Sequence, residues 1–240
     1  MHRNQAHLGH RVIVRRILAL MPIAATMVFL PAAWTLAGTD TVIIPAAKDN
    51  TLFSDPTGSL SSGSGAHLFA GSNSGTSARR GVIAFDIAAH VPAGTVIDSV
   101  ALVLNVSNAP NETPQEVAVH RVLAAWGEGE SVSSGGSGVP SAPGDATWIH
   151  AFYPDRFWSN PGGDFSVASS AVQTVGTSGP HTWSSPTMVA DVQFWLDSPS
   201  VNFGWLLRGD EATASSVRRF DSREIETQEN RPYLFVAYTS

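Results

Sequence analysis

The chain predicts an all-β protein, an antiparallel β-sandwich of jelly-roll type with one short helix. Three observations carry that prediction. Short apolar or alternating runs recur along the chain, separated by turns rich in Gly, Pro, Ser and Asn. Only Met188–Leu196 spaces its apolar residues helically, with Met188, Val192 and Trp195 on one face. Between Phe203 and Tyr238 lie three further runs, and the last is half aromatic, so it needs a cover on at least one face.

Taken in order, Thr41–Pro45 predicts a short strand closed by its proline at a sheet edge. Lys48–Phe53 follows as a turn and a second short run. Residues 54–66 are mostly Ser, Gly and Asp and read as a flexible surface loop. His67–Gly71 is a brief strand. Arg79–Asp86 has a continuous apolar centre, which predicts burial on both faces. Ile97–Val106 alternates cleanly, placing Val100, Leu102, Leu104 and Val106 on one face. Glu116–Leu123 is another strand, and its His120 reads as a partly buried structural residue.

Residues 124–185 differ from the rest. They are rich in Gly, Ser, Pro and Trp and hold only short apolar runs. Trp126, Trp148, Trp158 and Trp183 argue for order, because an indole gains by packing or binding. The segment is expected to be a structured loop excursion from one end of the sandwich. The helix then starts near Pro186 and Thr187, stops before Pro199, and caps an open end.

The first 38 residues have another character. Arg3, Arg11, Arg15 and Arg16 precede the apolar run Ile17–Ala33, and Thr35-Leu36-Ala37 supplies small residues for cleavage. This is the pattern of a signal peptide over 1–38, followed by one domain over 39–240. The apolar run is short for a membrane span and holds two prolines, so no span is expected after cleavage. The predicted location is secreted, either extracellular or associated with the cell envelope.

Removing the leader takes Lys+Arg from 14 to 10 and leaves Asp+Glu at 20, so the net charge moves from −6 to about −10. Such a surface disfavours nucleic acid, whose phosphates reward clustered Lys and Arg. The absence of cysteine excludes disulfides, thiolate metal sites and cysteine nucleophiles.

Several stretches resemble a known family. They begin with Asp49-Asn50-Thr51-Leu52, Arg80 with Phe85-Asp86, and Ile97–Leu104. Next come His120-Arg121-Val122, Trp126-Gly127-Glu128-Gly129, Gly144-Asp145-Ala146-Thr147-Trp148, Trp158 and Gly162-Gly163-Asp164-Phe165. The set ends with Asp191-Val192-Gln193 and Trp195, Asn202-Phe203-Gly204-Trp205, Phe220 with Ser222-Arg223-Glu224, and Arg231-Pro232. In this order the chain resembles the secreted bacterial DNRLRE-domain proteins, which overlap carbohydrate-binding module family 96. The family's name motif is not present literally; its nearest match is Phe220-Asp221-Ser222-Arg223-Glu224. The resemblance implies a β-sandwich that binds polysaccharide or serves as an extracellular surface module, and it brings no catalytic set.

Candidate site residues follow from chemistry. Sugar rings stack their C–H faces on aromatics, so Trp126, Trp148 and Trp158 are candidate platforms; the other reading is that each pins a loop to the core. Arg208 and Arg218 are candidates for reading an anionic polysaccharide through bidentate contacts. Arg223 reads instead as the ion-pair partner of its neighbour Glu224. Glu128, Asp145, Asp155 and Asp164 sit in the excursion, and calcium takes carboxylate and carbonyl oxygens. Asp145 and Asp164 are the first candidates for a structural calcium, against the reading that they close turns.

Glycoside cleavage needs two carboxyls a few ångströms apart, and Glu128 with Asp145 or Asp164 is the pair to consider. No Gly-x-Ser-x-Gly elbow or His-Glu-x-x-His helix occurs, and the histidines lack metal-ligand spacing. The expected function is non-catalytic polysaccharide binding. The alternative is a structural or adhesive surface protein without a specific glycan; a glycan-active hydrolase or lyase comes third.

Overall fold

A computed structural model describes Met1, residues 38–110 and residues 113–240. The predicted signal peptide over 1–38 therefore lies, but for its two end residues, outside the described residues. Ten strands form one hydrogen-bonded sheet, nine of them along a single path from residues 39–53 to residues 171–175 and the tenth, residues 179–183, joined at its side. The path folds back on itself into two antiparallel layers. This is the all-β sandwich that the alternating runs predict.

The two layers are joined by strands that belong to both. Strand β1 (Thr39–Phe53) pairs with β14 (Tyr233–Thr239) along Thr39–Pro45, and with β4 (Ala78–Phe85) along Ala46–Phe53. The strand therefore does not end at Pro45, as the sequence suggested. Each half of β1 lies at a layer's edge, where the missing proline N–H costs no ladder bond. A register shift between Ala46 and Lys48 redirects the chain to the second layer. Strand β3 (His67–Ser72) does the same between β13 (Arg218–Asp221) and β4.

In the first layer β5 (Val96–Asn108) is central. It pairs with β14 and β13 along one edge and with β11 (Gly179–Trp183) along the other. The second layer runs from the end of β1 through β4, β12 (Trp205–Arg208) and β6 (Gln115–Arg121) to β10 (Ala171–Val175). Short two-stranded pairings, β2 (Leu60–Ser61) with β7 (Val139–Pro140) and β8 (His150–Phe152) with β9 (Arg156–Phe157), order the loops.

The main core lies between the layers. Val100, Leu102, Leu104 and Val106 of β5 are all buried there, as their alternation predicts, against Ile83, Phe85, Trp205, Leu207 and Leu234. Helix α1 (Pro186–Asp197) adds Met188, Val192, Trp195 and Leu196 to this core. Its start is fixed by Ser185, whose hydroxyl accepts the Met188 N–H at 3.0 Å.

Two segments differ from expectation. Residues 54–66 are not a flexible surface loop, since Ser61, Ser62 and Gly63 are buried. Their polar groups are satisfied from far along the chain: Ser61 by Asn50 and the Ala146 carbonyl, and the Gly63 N–H by Ser131. The predicted excursion is also shorter than 124–185, because β10 and β11 within it are sandwich strands. Thr174, Pro180 and Thr182 face outward and the half-buried Gln173 and His181 interrupt the inward face, so neither run shows a clean apolar alternation.

Candidate functional site

The excursion is a third layer. On β4 and β12, residues alternate between the main core and the opposite face, so Val82, Ala84 and Leu206 point away from the sandwich. Together with Leu52 they form a second core with Val122, Trp126, Ala146, Ala151 and Trp158. Burying an apolar side chain of this size contributes about 1.5–3 kcal/mol, which accounts for the excursion's order.

That placement decides the tryptophans. Trp126 is 1 % exposed and donates Nε1–H to the Phe203 carbonyl at 2.8 Å. Trp158 is 6 % exposed and donates to the Thr147 carbonyl at 2.9 Å. Both are pins of the second core rather than sugar platforms, so that expectation is corrected. Trp148 is half-buried, with the Arg80 guanidinium 4.6 Å from its ring centroid. The three indoles do not form one exposed surface.

The arginines separate in the same way. Arg218 is fully buried and donates to the main-chain carbonyls of Val175, Ser216, Val217 and Thr113. A buried guanidinium is stable only when its donors are filled, and here the backbone fills them. Arg218 is thus a structural clamp and not a ligand contact. Arg208 is exposed at the end of β12, loosely paired with Glu211 at 3.4 Å.

Arg208 opens onto a groove of about 520 Å3 on the outer face of the second layer, beyond the part that the excursion covers. Its floor comes from outward positions of β6, β10 and β12, including Glu116, Ala118, His120, Val172 and Arg208, and Asp210 lies at its side. Val172 is 50 % exposed and offers an apolar surface. His120 is buried beneath, its Nδ1 3.0 Å from the Ser166 carbonyl, and burial lowers its pKa, so it is neutral near pH 7.

One wall of the groove region is braced. Arg80 donates to both carboxylate oxygens of Glu211, at 2.6 and 2.9 Å, and to the Gly162 carbonyl at 2.8 Å. Its guanidinium lies between Trp148 and Phe165, and the Phe165 ring meets His120 edge-on at 5.3 Å. This stack ties the third layer to the groove floor.

The candidate calcium ligands sit elsewhere and apart. Asp145 is fully buried and accepts the Ala142 N–H at 2.7 Å and the Ser131 N–H at 3.5 Å. Asp164 accepts the Ser159 and Asn160 N–H groups at 2.8 and 3.0 Å. Both close turns in their own segments, which corrects their reading as a calcium pair.

A different set of carboxylates does converge. Asp49 of β1, Glu128 of the excursion and Glu224 beyond β13 each offer an oxygen within 4.8 Å of the others. Arg223 joins them: its Nε lies 2.8 Å from Glu128 Oε1 and 2.7 Å from Glu224 Oε1, and its backbone N–H donates to Asp49 Oδ2 at 2.8 Å. The expected Arg223–Glu224 pair is therefore present. Glu128 Oε1 also accepts the Asp49 N–H at 2.9 Å. Next to Asp49, the Asn50 amide donates to the Glu128 carbonyl at 2.7 Å and to Ser61 Oγ at 3.0 Å.

Burial and the neighbouring Glu224 push the Asp49 carboxyl well above the usual carboxylate range. Burial also raises Glu224, against the opposing pull of Arg223. In the sequence Asp49 and Glu224 belong to separate motifs. Each motif looks like a turn or strand end, and nothing local signals that the three meet.

Neither a scan against models of known protein families nor a search of curated proteins finds a match for this chain. Among the described residues, no helix is long and apolar enough to cross a membrane.

Proposed function

We propose that this chain is a secreted, non-catalytic polysaccharide-binding module, and that its ligand lies in the groove beside Arg208. The observation that carries this reading is the groove itself, an open trough on a rigid sheet face. It combines one exposed guanidinium, carboxylates at Glu116 and Asp210, and an apolar surface at Val172. Sugars present hydroxyl and C–H faces to such mixed surfaces, and Arg208 adds a bidentate donor for a uronic carboxylate or a sulfate. The non-catalytic part is supported by the acids first considered for hydrolysis, since Asp145 and Asp164 are occupied by backbone N–H groups.

A structural or adhesive surface role without a glycan is the second reading. It is favoured by the burial of Trp126 and Trp158. Affinity electrophoresis of the purified protein through neutral and acidic polysaccharides separates the two. Retardation by an acidic polysaccharide, lost in Arg208→Ala with an unchanged β spectrum, is the expected result. Migration unaffected by every glycan tested, from folded protein, would overturn the binding reading in favour of the structural one.

A further inference from the structure

The carboxylate cluster is unbalanced in charge and in hydrogen bonding. Three acids, Asp49, Glu128 and Glu224, meet there, and two cations stand near them. Arg223 contacts Glu128 and Glu224 directly. Lys48 gives its ammonium to the Trp126 carbonyl at 2.6 Å, lies 4.0 Å from that ring, and acts on Glu128 only through space. Asp49 is wholly excluded from water, and among the described residues its Oδ1 has no hydrogen-bond partner, although its Oδ2 accepts the Arg223 backbone N–H. A buried carboxylate oxygen without a donor costs several kcal/mol unless something else fills its coordination.

A proton or a metal ion can supply what is missing, and the geometry favours the ion. A proton on Asp49 would remove one charge but would leave the other two acids to share Arg223, whereas an ion engages all three. A cation would instead be met by three oxygens at once. Calcium binds oxygen at about 2.3–2.6 Å, so ligands on opposite sides of it stand about 5 Å apart. Magnesium, at about 2.1 Å, would draw them to about 4 Å. The three oxygens lie within 4.8 Å of one another, and three protein carboxylates at one point suit calcium, since magnesium keeps several waters and takes one or two carboxylates. Carboxylate oxygens are also the donors that a hard cation selects, and the cluster holds no nitrogen or sulfur acceptor.

We propose that Asp49, Glu128 and Glu224 together hold one calcium ion. The ion ties β1, the excursion and the segment after β13 to one point. Its role is structural and independent of what the groove binds. Asp145 and Asp164 take no part, because their oxygens already serve turns.

The test is calcium titration of the full chain after treatment with a chelator, by calorimetry and by thermal unfolding, with magnesium in parallel. One saturable calcium site per chain, a melting temperature raised by several degrees and weaker magnesium binding are expected. Glu224→Gln, at a partly exposed position and nearly isosteric, should weaken calcium binding at least tenfold while the β spectrum persists. Asp49→Asn should remove the melting shift. Wild-type protein whose melting temperature and heat are indifferent to calcium would overturn the proposal. So would an unchanged calcium affinity in folded Glu224→Gln. If Asp49→Asn melts above wild type in chelator, and wild type ignores calcium, the site holds a proton instead.

Discussion

Arg80 grips Glu211 through both carboxylate oxygens while its guanidinium stacks on Trp148, 4.6 Å from the ring centroid. One side chain thus joins β4, the loop after β12 and the third layer. The pair is shielded, with side chains 11 % and 17 % exposed. In that setting the charge-assisted bonds are worth about 1.5–3 kcal/mol.

A pH dependence follows from this pair. Burial alone would raise the Glu211 carboxyl, but the Arg80 hydrogen bonds and charge outweigh it and hold the pKa below its ordinary 4.5. The folded carboxyl therefore binds its proton less tightly than the unfolded one. Its stabilisation is complete above pH 4.5 and is lost as pH falls through the lower folded value. Urea unfolding of wild type and Glu211→Gln should show a constant stability gap above that pH and a shrinking one below it. A gap independent of pH would contradict the assignment.

Asn50→Ala should cost about 2–4 kcal/mol. The Asn50 side chain serves the Thr51 and Ser62 N–H groups and the Glu128 and Ala146 carbonyls, all in a buried setting. Truncation leaves several polar groups unpaired at once, each at about 1–3 kcal/mol before relaxation. Chemical denaturation measures the loss directly. A change under 1 kcal/mol, on the scale of an exposed substitution, would mean that water replaces the amide.

Trp126→Ala should lower stability by about 3–5 kcal/mol, the range for emptying a large core site. Polysaccharide retardation, measured well below the melting transition, should be unaffected. Loss of retardation from fully folded protein would return Trp126 to the binding surface.

Gly129→Ala should be harmful for two separate reasons. The residue has φ +76°, and a Cβ there would stand 1.5 Å from Asp145 Oδ1. Left-handed backbone costs about 1–2 kcal/mol for a residue with a side chain, and Asp145 would have to leave its turn as well. Thermal melting should fall by more than in Gly94→Ala, where φ is also positive but a Cβ would meet nothing within 4 Å.

The sequence made the sandwich legible where burial imposes a strict period. Strand β5 could be read residue by residue, because one face meets the core and the other is only partly covered. The apolar run in β4 also implied a second buried face, and therefore a cover. The indoles of the excursion are that cover, yet they could not be told from sugar platforms, because what an indole rests on is set by tertiary contact. Ser61 and Ser62 were hidden for the same reason, as serine-rich chain is buried only when a distant residue such as Asn50 satisfies it. The carboxylate cluster was least visible. Asp49 and Glu128 lie 79 residues apart, and no local pattern encodes their meeting.

The pairing of β1 with β14 sets when the protein can finish folding. Thr39 stands opposite Thr239 and Ile43 opposite Phe235, so the opening strand of the domain waits for the closing one. Contacts between such distant segments carry a large loop-closure cost and slow the search. During synthesis, the edge of β1 along Thr39–Pro45 stays unpaired until Tyr233–Thr239 has left the ribosome. Until the β14 segment is available the sheet stays open along that edge, a state vulnerable to strand exchange between neighbouring copies.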